Sequence, residues 1–220
     1  MSVTTSDGEI LKYYWRSPQE GMPSIIVFHG NGDAAVRQTY KANALAKAGF
    51  GVLLGEYRGY GESSGSPSET GLKVDGQAMY DFVRQRTDAP IGLYAHSLGT
   101  GVAVKLATQR DVFAIVLESA FDSHLAVAQK AIKWLPMDLL LKHPFRSDLI
   151  TGEINVPILM MHGTLDRVVG IKHGKILITA APAGTRFLEI AGAGHNDLIN
   201  FGSVERAIGF FTKVGVTTQN

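Results

Sequence analysis

IGLYAHSLGTGVAVKLATQR (91–110) passes from an apolar, strand-like segment through one serine into a segment with helical spacing. A strand feeding a helix across a single residue needs a sharp turn, and that turn lifts the Ser97 hydroxyl above the sheet. The pattern for such an elbow is G-x-S-x-G. AHSLG (95–99) departs from it at Ala95, whereas GESSG (61–65) matches it letter for letter. Ser63 nevertheless fails the test of context. The preceding strand ends near Tyr57, and RGYGESSG then runs as a glycine-rich loop, which makes Ser63 a solvated loop serine. Ser97 has the strand–serine–helix order, and Ala95 adds only one methyl at the crowded position. The competing reading of Ser97 is a buried helix-capping serine.

Working outward, short apolar runs recur at 24–30, 51–57, 113–119, 157–163 and 186–192 as well as 91–97. Runs this continuous suit parallel strands buried on both faces. Helical spacing falls between them, at 36–48, 98–109, 123–134, 170–181 and 203–213. A further helix opens at Ser66-Pro67-Ser68-Glu69, with Ser66 as N-cap and Glu69 closing a capping box. Residues 3–15 alternate around Asp7-Gly8, a tight-hairpin signal. The expectation is an α/β fold: a doubly wound, mostly parallel sheet entered through an N-terminal antiparallel hairpin. It forms one domain over 1–220, with a short cap-like insertion at 120–150.

Composition narrows the function classes. The 21 Lys and Arg nearly balance 20 Asp and Glu, and no basic cluster stands out, which argues against nucleic acid as a partner. No cysteine is present, so a thiol nucleophile, a disulfide or Cys-ligated metal is excluded. The N-terminal stretch lacks a signal-peptide pattern, and no apolar run approaches the roughly 20 residues that span a bilayer. The expectation is a cytoplasmic protein with no integral membrane segment, no metal and no cofactor.

A serine becomes nucleophilic only beside a positioned base. Of seven histidines, His195 in EIAGAGHNDL (189–198) stands in a glycine-rich loop beyond the last strand. From there an imidazole can reach across the strand ends. His29 and His162 end strands and shape loops. His96 adjoins Ser97, and neighbouring side chains on a strand point to opposite faces. His124, His143 and His173 are expected at the surface.

Asp166, past the strand 157–163, is the acid expected to orient the ring, against the alternative of a cap near Val168. Glu118 is the runner-up, and Asp197 lies too close in sequence to His195. Ser97, Asp166 and His195 follow one chain order and sit at carboxyl ends of parallel strands, where open α/β sheets build sites. An oxyanion hole would come from the N–H of Leu98 and of Asn31 in HGNGD (29–33). HGNGDAA lacks the third glycine of a dinucleotide fingerprint and the lysine of a P-loop.

HGNG (29–32), EYRGYGESSGSPSETGL (56–72), AHSLGTG (95–101), LESAF (117–121), HGTLDRVV (162–169) and GAGHNDL (192–198) together resemble the alpha/beta-hydrolase superfamily. Within it the chain is similar to the compact alpha/beta-hydrolase-domain-containing proteins related to serine aminopeptidases and monoacylglycerol lipases. The resemblance implies Ser97, Asp166 and His195 as a catalytic triad and YRGYG as a structural loop near the site. Ala95 departs from the usual glycine, and Glu56 stands where the branch has aspartate.

The expected activity is that of a serine esterase acting on a small-molecule acyl ester or thioester. Two alternatives stand: an aminopeptidase-type serine peptidase, needing acids such as Glu56, Glu62 or Glu118 in the cleft, and a non-catalytic binding protein. AIKWLPMDLLLKHPF (131–145) is rich in large apolar groups, with Trp134, Leu135 and Leu140 as candidate acyl-pocket residues. Packing onto the sheet, or meeting a membrane or second subunit, are the other uses of that stretch.

Overall fold

The computed structural model describes residues 1–123 and 146–217. Eight strands form one sheet: β1 (Ser2–Thr4), β2 (Ile10–Arg16), β3 (Ser24–Phe28), β4 (Gly51–Gly55), β5 (Ile91–His96), β6 (Ile115–Glu118), β7 (Ile158–Gly163) and β8 (Arg186–Ile190). Their order is β1-β2-β4-β3-β5-β6-β7-β8. β1 and β2 pair antiparallel, as do β2 and β4, and every later pairing is parallel. The six apolar runs of the sequence are the six parallel strands, shortened by a residue or two at their ends.

The alternation of side chains along each strand divides the core in two. Ile26 and Phe28 of β3 join Leu93, Leu117 and Met160 on one face, while Ile25 and Val27 join Tyr94, Val116 and Met161 on the other. Helices cover both faces. α2 (Glu69–Arg84) and α3 (Leu98–Ala107) pack on the first; α1 (Thr39–Lys47), led in by a 3₁₀ turn at Ala35–Gln38, and the last helix pack on the second. α4 (Ile171–Ala180) and α5 (Ser203–Thr217) complete the described helices, with one helical turn at Ser147–Ile150.

Several local expectations change. The β1–β2 connection spans five residues rather than a two-residue turn: Thr5 N–H donates to the Glu9 carbonyl at 2.8 Å, and Gly8 takes φ +92°. α2 is capped by Ser68, whose Oγ accepts from Gly71 N–H at 3.0 Å, so Ser66 is not the N-cap. Ser63 is buried, not solvated: its Oγ accepts from Lys12 N–H at 2.9 Å and donates to the Glu56 carbonyl at 3.4 Å. Arg58 holds the same loop by reaching Asp75 at 2.8 Å and Asp7 at 2.7 Å. The literal GESSG match is therefore part of a tie between the β4 exit and the β2 strand.

Ser123 forms a bridge with Arg146, and the rest of the expected helix at 123–134 lies outside the described residues, as do His124, Trp134, Leu135, Leu140 and His143. His173 is buried rather than at the surface, donating from Nδ1 to Asp122 at 2.7 Å. Among the described residues, no helix is long and apolar enough to cross a membrane.

Candidate active site

Ser97 sits between the last residue of β5 and the first of α3 with φ +50° and ψ −117°. A non-glycine residue held there costs about 1–3 kcal/mol and needs surroundings that enforce it. Those surroundings are visible. Ser97 N–H continues the β5–β6 ladder to the Glu118 carbonyl at 3.0 Å, and the Ser97 carbonyl accepts from Thr100 N–H at 2.9 Å and Thr100 Oγ1 at 2.6 Å. The strand and helix thus fix both sides of one residue.

The two flanking small residues serve different ends. A Cβ on Gly99 would lie 2.7 Å from the Phe28 carbonyl oxygen and 2.8 Å from that of His29, so only glycine lets α3 start this close to β3. Ala95 is fully buried and pairs in regular register with Phe28 and Leu117, so the strand accommodates its methyl without a kink.

The glycine-rich loop after β8 brings His195 to the same end of the sheet. His195 Nε2 is 3.0 Å from Ser97 Oγ, and its Nδ1 is 2.8 Å from Asp166 Oδ2. A carboxylate only accepts, so Nδ1 carries the proton and Nε2 presents its lone pair to the serine hydroxyl. Asp166 is not the N-cap of the following helix, which starts at Ile171 after Gly170, but it does cap the loop before it. Its Oδ1 accepts from the N–H groups of Val168 at 2.9 Å and Val169 at 2.8 Å, capping the loop while Oδ2 holds the imidazole. Burial works to raise its pKa, but hydrogen bonds from His162 and His195 prevail and hold the carboxyl well below the usual range.

Glu118 does not orient His195. It is buried and engaged by Lys41 Nζ at 2.5 Å and Tyr94 OH at 2.6 Å. Burial raises its pKa and the Lys41 ammonium lowers it, with the net shift downward. Asp197 accepts from Gly194 N–H at 2.6 Å, supporting the loop that carries His195.

Leu98 opens α3, so its N–H has no partner one turn back. Gly30 lies against the elbow, where an added Cβ would be 3.3 Å from Ser97 Cβ, and Asn31 follows it. The Asn31 side chain accepts from Tyr60 OH at 2.6 Å. Glu56 Oε1 accepts from Ala35 N–H at 2.6 Å, so the aspartate-to-glutamate departure puts a carboxylate on the far end of this loop.

A cavity of about 290 Å³ opens beside His195, and Asn196, Asn31, Asp33, Arg37 and Gln38 are among the residues that line it. His96 and Glu118 also line it, which sequence reasoning did not anticipate for His96. Strand alternation alone places His96 away from the serine, but β5 ends there and the β8 loop folds over it.

The model of the serine aminopeptidase, S33 family (Hydrolase_4) matches residues 20–149 of this chain. The chain belongs to this alpha/beta-hydrolase family. An uncharacterized protein of Mycobacterium tuberculosis is 36% identical over 201 residues, covering 89% of this chain and 71% of its own length. Lysophosphatidylserine lipase ABHD12 of Danio rerio is 34% identical over 196 residues, covering 77% of this chain and 50% of that protein, so the match spans about half of the vertebrate relative. Among solved structures, the Pyrococcus furiosus esterase Pf2001 superposes with a TM-score of 0.81 at 19% identity, covering 98% of this chain and 91% of that one. A monoacylglycerol lipase from Paleococcus ferrophilus gives 0.72 at 18% identity, covering 92% and 98%. As a member of the S33 alpha/beta-hydrolase family, the chain is a hydrolase.

Proposed function

We infer that this hydrolase cleaves carboxylic esters or thioesters through an acyl-enzyme on Ser97. The observation that carries the reading is the unbroken relay from Ser97 Oγ to His195 Nε2 at 3.0 Å and from His195 Nδ1 to Asp166 Oδ2 at 2.8 Å. Ser97 Oγ attacks the acyl carbon while His195 Nε2 takes its proton. The resulting imidazolium stays paired with Asp166 and returns the proton to the departing alcohol or thiol. Water then attacks the acyl-enzyme, activated by the same imidazole, and releases the acid. The oxyanion that forms at each attack is stabilised by the N–H groups of Leu98 and Asn31.

The cavity beside His195 is the leaving-group side, since His195 must hand its proton to the group that departs. Its lining by Asn31, Asp33, Arg37 and Gln38 supports a polar alcohol half, which these side chains meet more favourably than they would an alkyl chain. Lysophosphatidylserine lipase as the name of a relative agrees with such a substrate. The aminopeptidase reading draws less support. Glu118 is neutralised by Lys41, and Glu56 and Glu62 line a different cavity.

The test is labelling by a fluorophosphonate together with rates on aryl esters from acetyl to palmitoyl and one thioester. The expected result is label on Ser97 and ester turnover that Ser97→Ala abolishes. An unlabelled wild-type protein, or full turnover in Ser97→Ala, would sink this reading.

A further inference from the structure

Among the described residues, two non-glycine residues have positive φ, Ser97 at +50° and Ser119 at +49°. Strain of this kind collects where function needs a fixed geometry. The first contacts the His195 ring, and the second contacts the His195 backbone: Ser119 Oγ lies 3.4 Å from the His195 carbonyl oxygen. The same carbonyl is met by His96 Nε2 at 2.9 Å. A carbonyl only accepts, so His96 carries its proton on Nε2 and leaves Nδ1 as a bare acceptor.

His96 Nδ1 is buried and has no hydrogen-bond partner. A Cβ added to Gly30 would lie 3.0 Å from it, so that side of the ring rests on the loop that leads to Asn31. The imidazole therefore fills the space between the Asn31 loop and the His195 loop, with its ring centroid 5.0 Å from that of His195. Burial, and then the Lys41 ammonium, bring its pKa down to about 4, which keeps it neutral at neutral pH.

We propose that His96 and Ser119 form a two-donor clamp on the His195 main-chain carbonyl, which holds the base in line with the serine. Both are positioning residues; neither touches the reacting atoms. The loop that carries His195 reads Gly192-Ala193-Gly194, a backbone with wide freedom. Its ring is fixed at Nδ1 by Asp166 and its peptide by donors from the ends of β5 and β6. The donor from β5 comes from the residue immediately before the nucleophile, so base and nucleophile share one mechanical support. The loss of such a support shifts a reacting group by a fraction of an ångström to an ångström, and a shift of that size costs up to about 100-fold in rate.

The clamp rests on the acyl-enzyme reading, and the experiment keeps the two apart. Wild type, His96→Phe, His96→Gln and Ser119→Ala are compared for kcat and KM on one aryl ester, fluorophosphonate labelling rate and melting temperature. Phenylalanine keeps the ring volume and removes the donor; glutamine restores an N–H donor in nearly the same place. Expected are a fall in kcat of about 10- to 100-fold in His96→Phe with KM within about twofold, slowed labelling, and recovery to within about fivefold of wild type in His96→Gln. Ser119→Ala loses about twofold to tenfold in kcat, matching its longer contact. If His96→Phe does not fold, the glutamine and alanine variants decide. A folded His96→Gln with kcat reduced more than 100-fold overturns the clamp, and so does wild-type labelling speed in a folded His96→Phe. A wild type that does not label at all overturns the acyl-enzyme reading first, and the clamp with it.

Discussion

Gly99 in the first turn of α3 touches the end of β3, where a Cβ would stand 2.7 Å from the Phe28 carbonyl oxygen. The contact is with backbone, which cannot rotate away, so a larger residue must push α3 off the sheet. Gly99→Ala is expected to cost about 1–3 kcal/mol of stability as overpacking. It also moves Ser97 relative to the Gly30–Asn31 loop, so ester turnover falls by more than the loss of folded protein explains. Urea unfolding and kcat measured on the same sample separate the two effects. Wild-type values of both would mean that α3 is not seated where the contact puts it.

Glu118 ends β6 and Asp166 lies three residues past the end of β7, yet they sit in different surroundings, and their amide variants should fail in different ways. Asp166→Asn keeps the shape and loses the charge that fixes the imidazole tautomer, so kcat drops about 10³- to 10⁴-fold with the fold intact. Glu118→Gln leaves the buried Lys41 ammonium without its counter-charge and costs about 3–5 kcal/mol of stability. Activity per folded molecule should survive better in Glu118→Gln than in Asp166→Asn. The reverse ranking would reassign the orienting acid.

The elbow was legible in the sequence because its signal is local: a continuous apolar run, one serine and a helix with no loop between. That Asp166 and His195 meet Ser97 in space was legible from their placement after strands in a fixed order. What escaped was set by distant partners. Glu118 has the position of an orienting acid, and nothing within its own segment announces Lys41, 77 residues away. Ser63 is drawn into the interior by β2, 51 residues earlier in the chain. Of two serines two residues apart, Ser68 rather than Ser66 caps α2, because its Oγ is the one that accepts from Gly71 N–H. His96 does not serve Ser97, as strand alternation expects, but its bond to the carbonyl of His195, 99 residues on, is announced by nothing in its own segment.

Ser63→Ala tests the rejection of the literal motif. The hydroxyl bonds backbone groups of β2 and the β4 exit, and its removal leaves Lys12 N–H short of an acceptor. Stability should fall by about 1–3 kcal/mol while kcat per folded molecule and fluorophosphonate labelling stay as in wild type. A loss of labelling at unchanged stability would return the nucleophile question to GESSG.

His96 also predicts how stability depends on pH. Its folded-state pKa is brought down to about 4, first by burial and then by Lys41, with Glu118 acting in the opposite sense. An unfolded histidine titrates near 6.5. Between those values the unfolded chain binds more protons than the folded one, so stability falls as pH drops from about 6.5 to about 4, and the loss levels off below that. The drop of about 2.5 units corresponds to an upper bound of about 3 kcal/mol from this one residue. Asp166 and Glu118 have lowered folded values, so their contributions are present above the unfolded carboxylate range and are lost progressively from about pH 5 downward. The window from about 6.5 to 5 therefore isolates His96 from these two acids, and below it the comparison with His96→Gln cancels their shared contribution. Urea unfolding at pH 7, 5.5 and 4.5 should show a shallower decline in His96→Gln than in wild type, by up to one proton per molecule. Parallel curves for the two proteins would mean that the ring at position 96 is not buried in its neutral form.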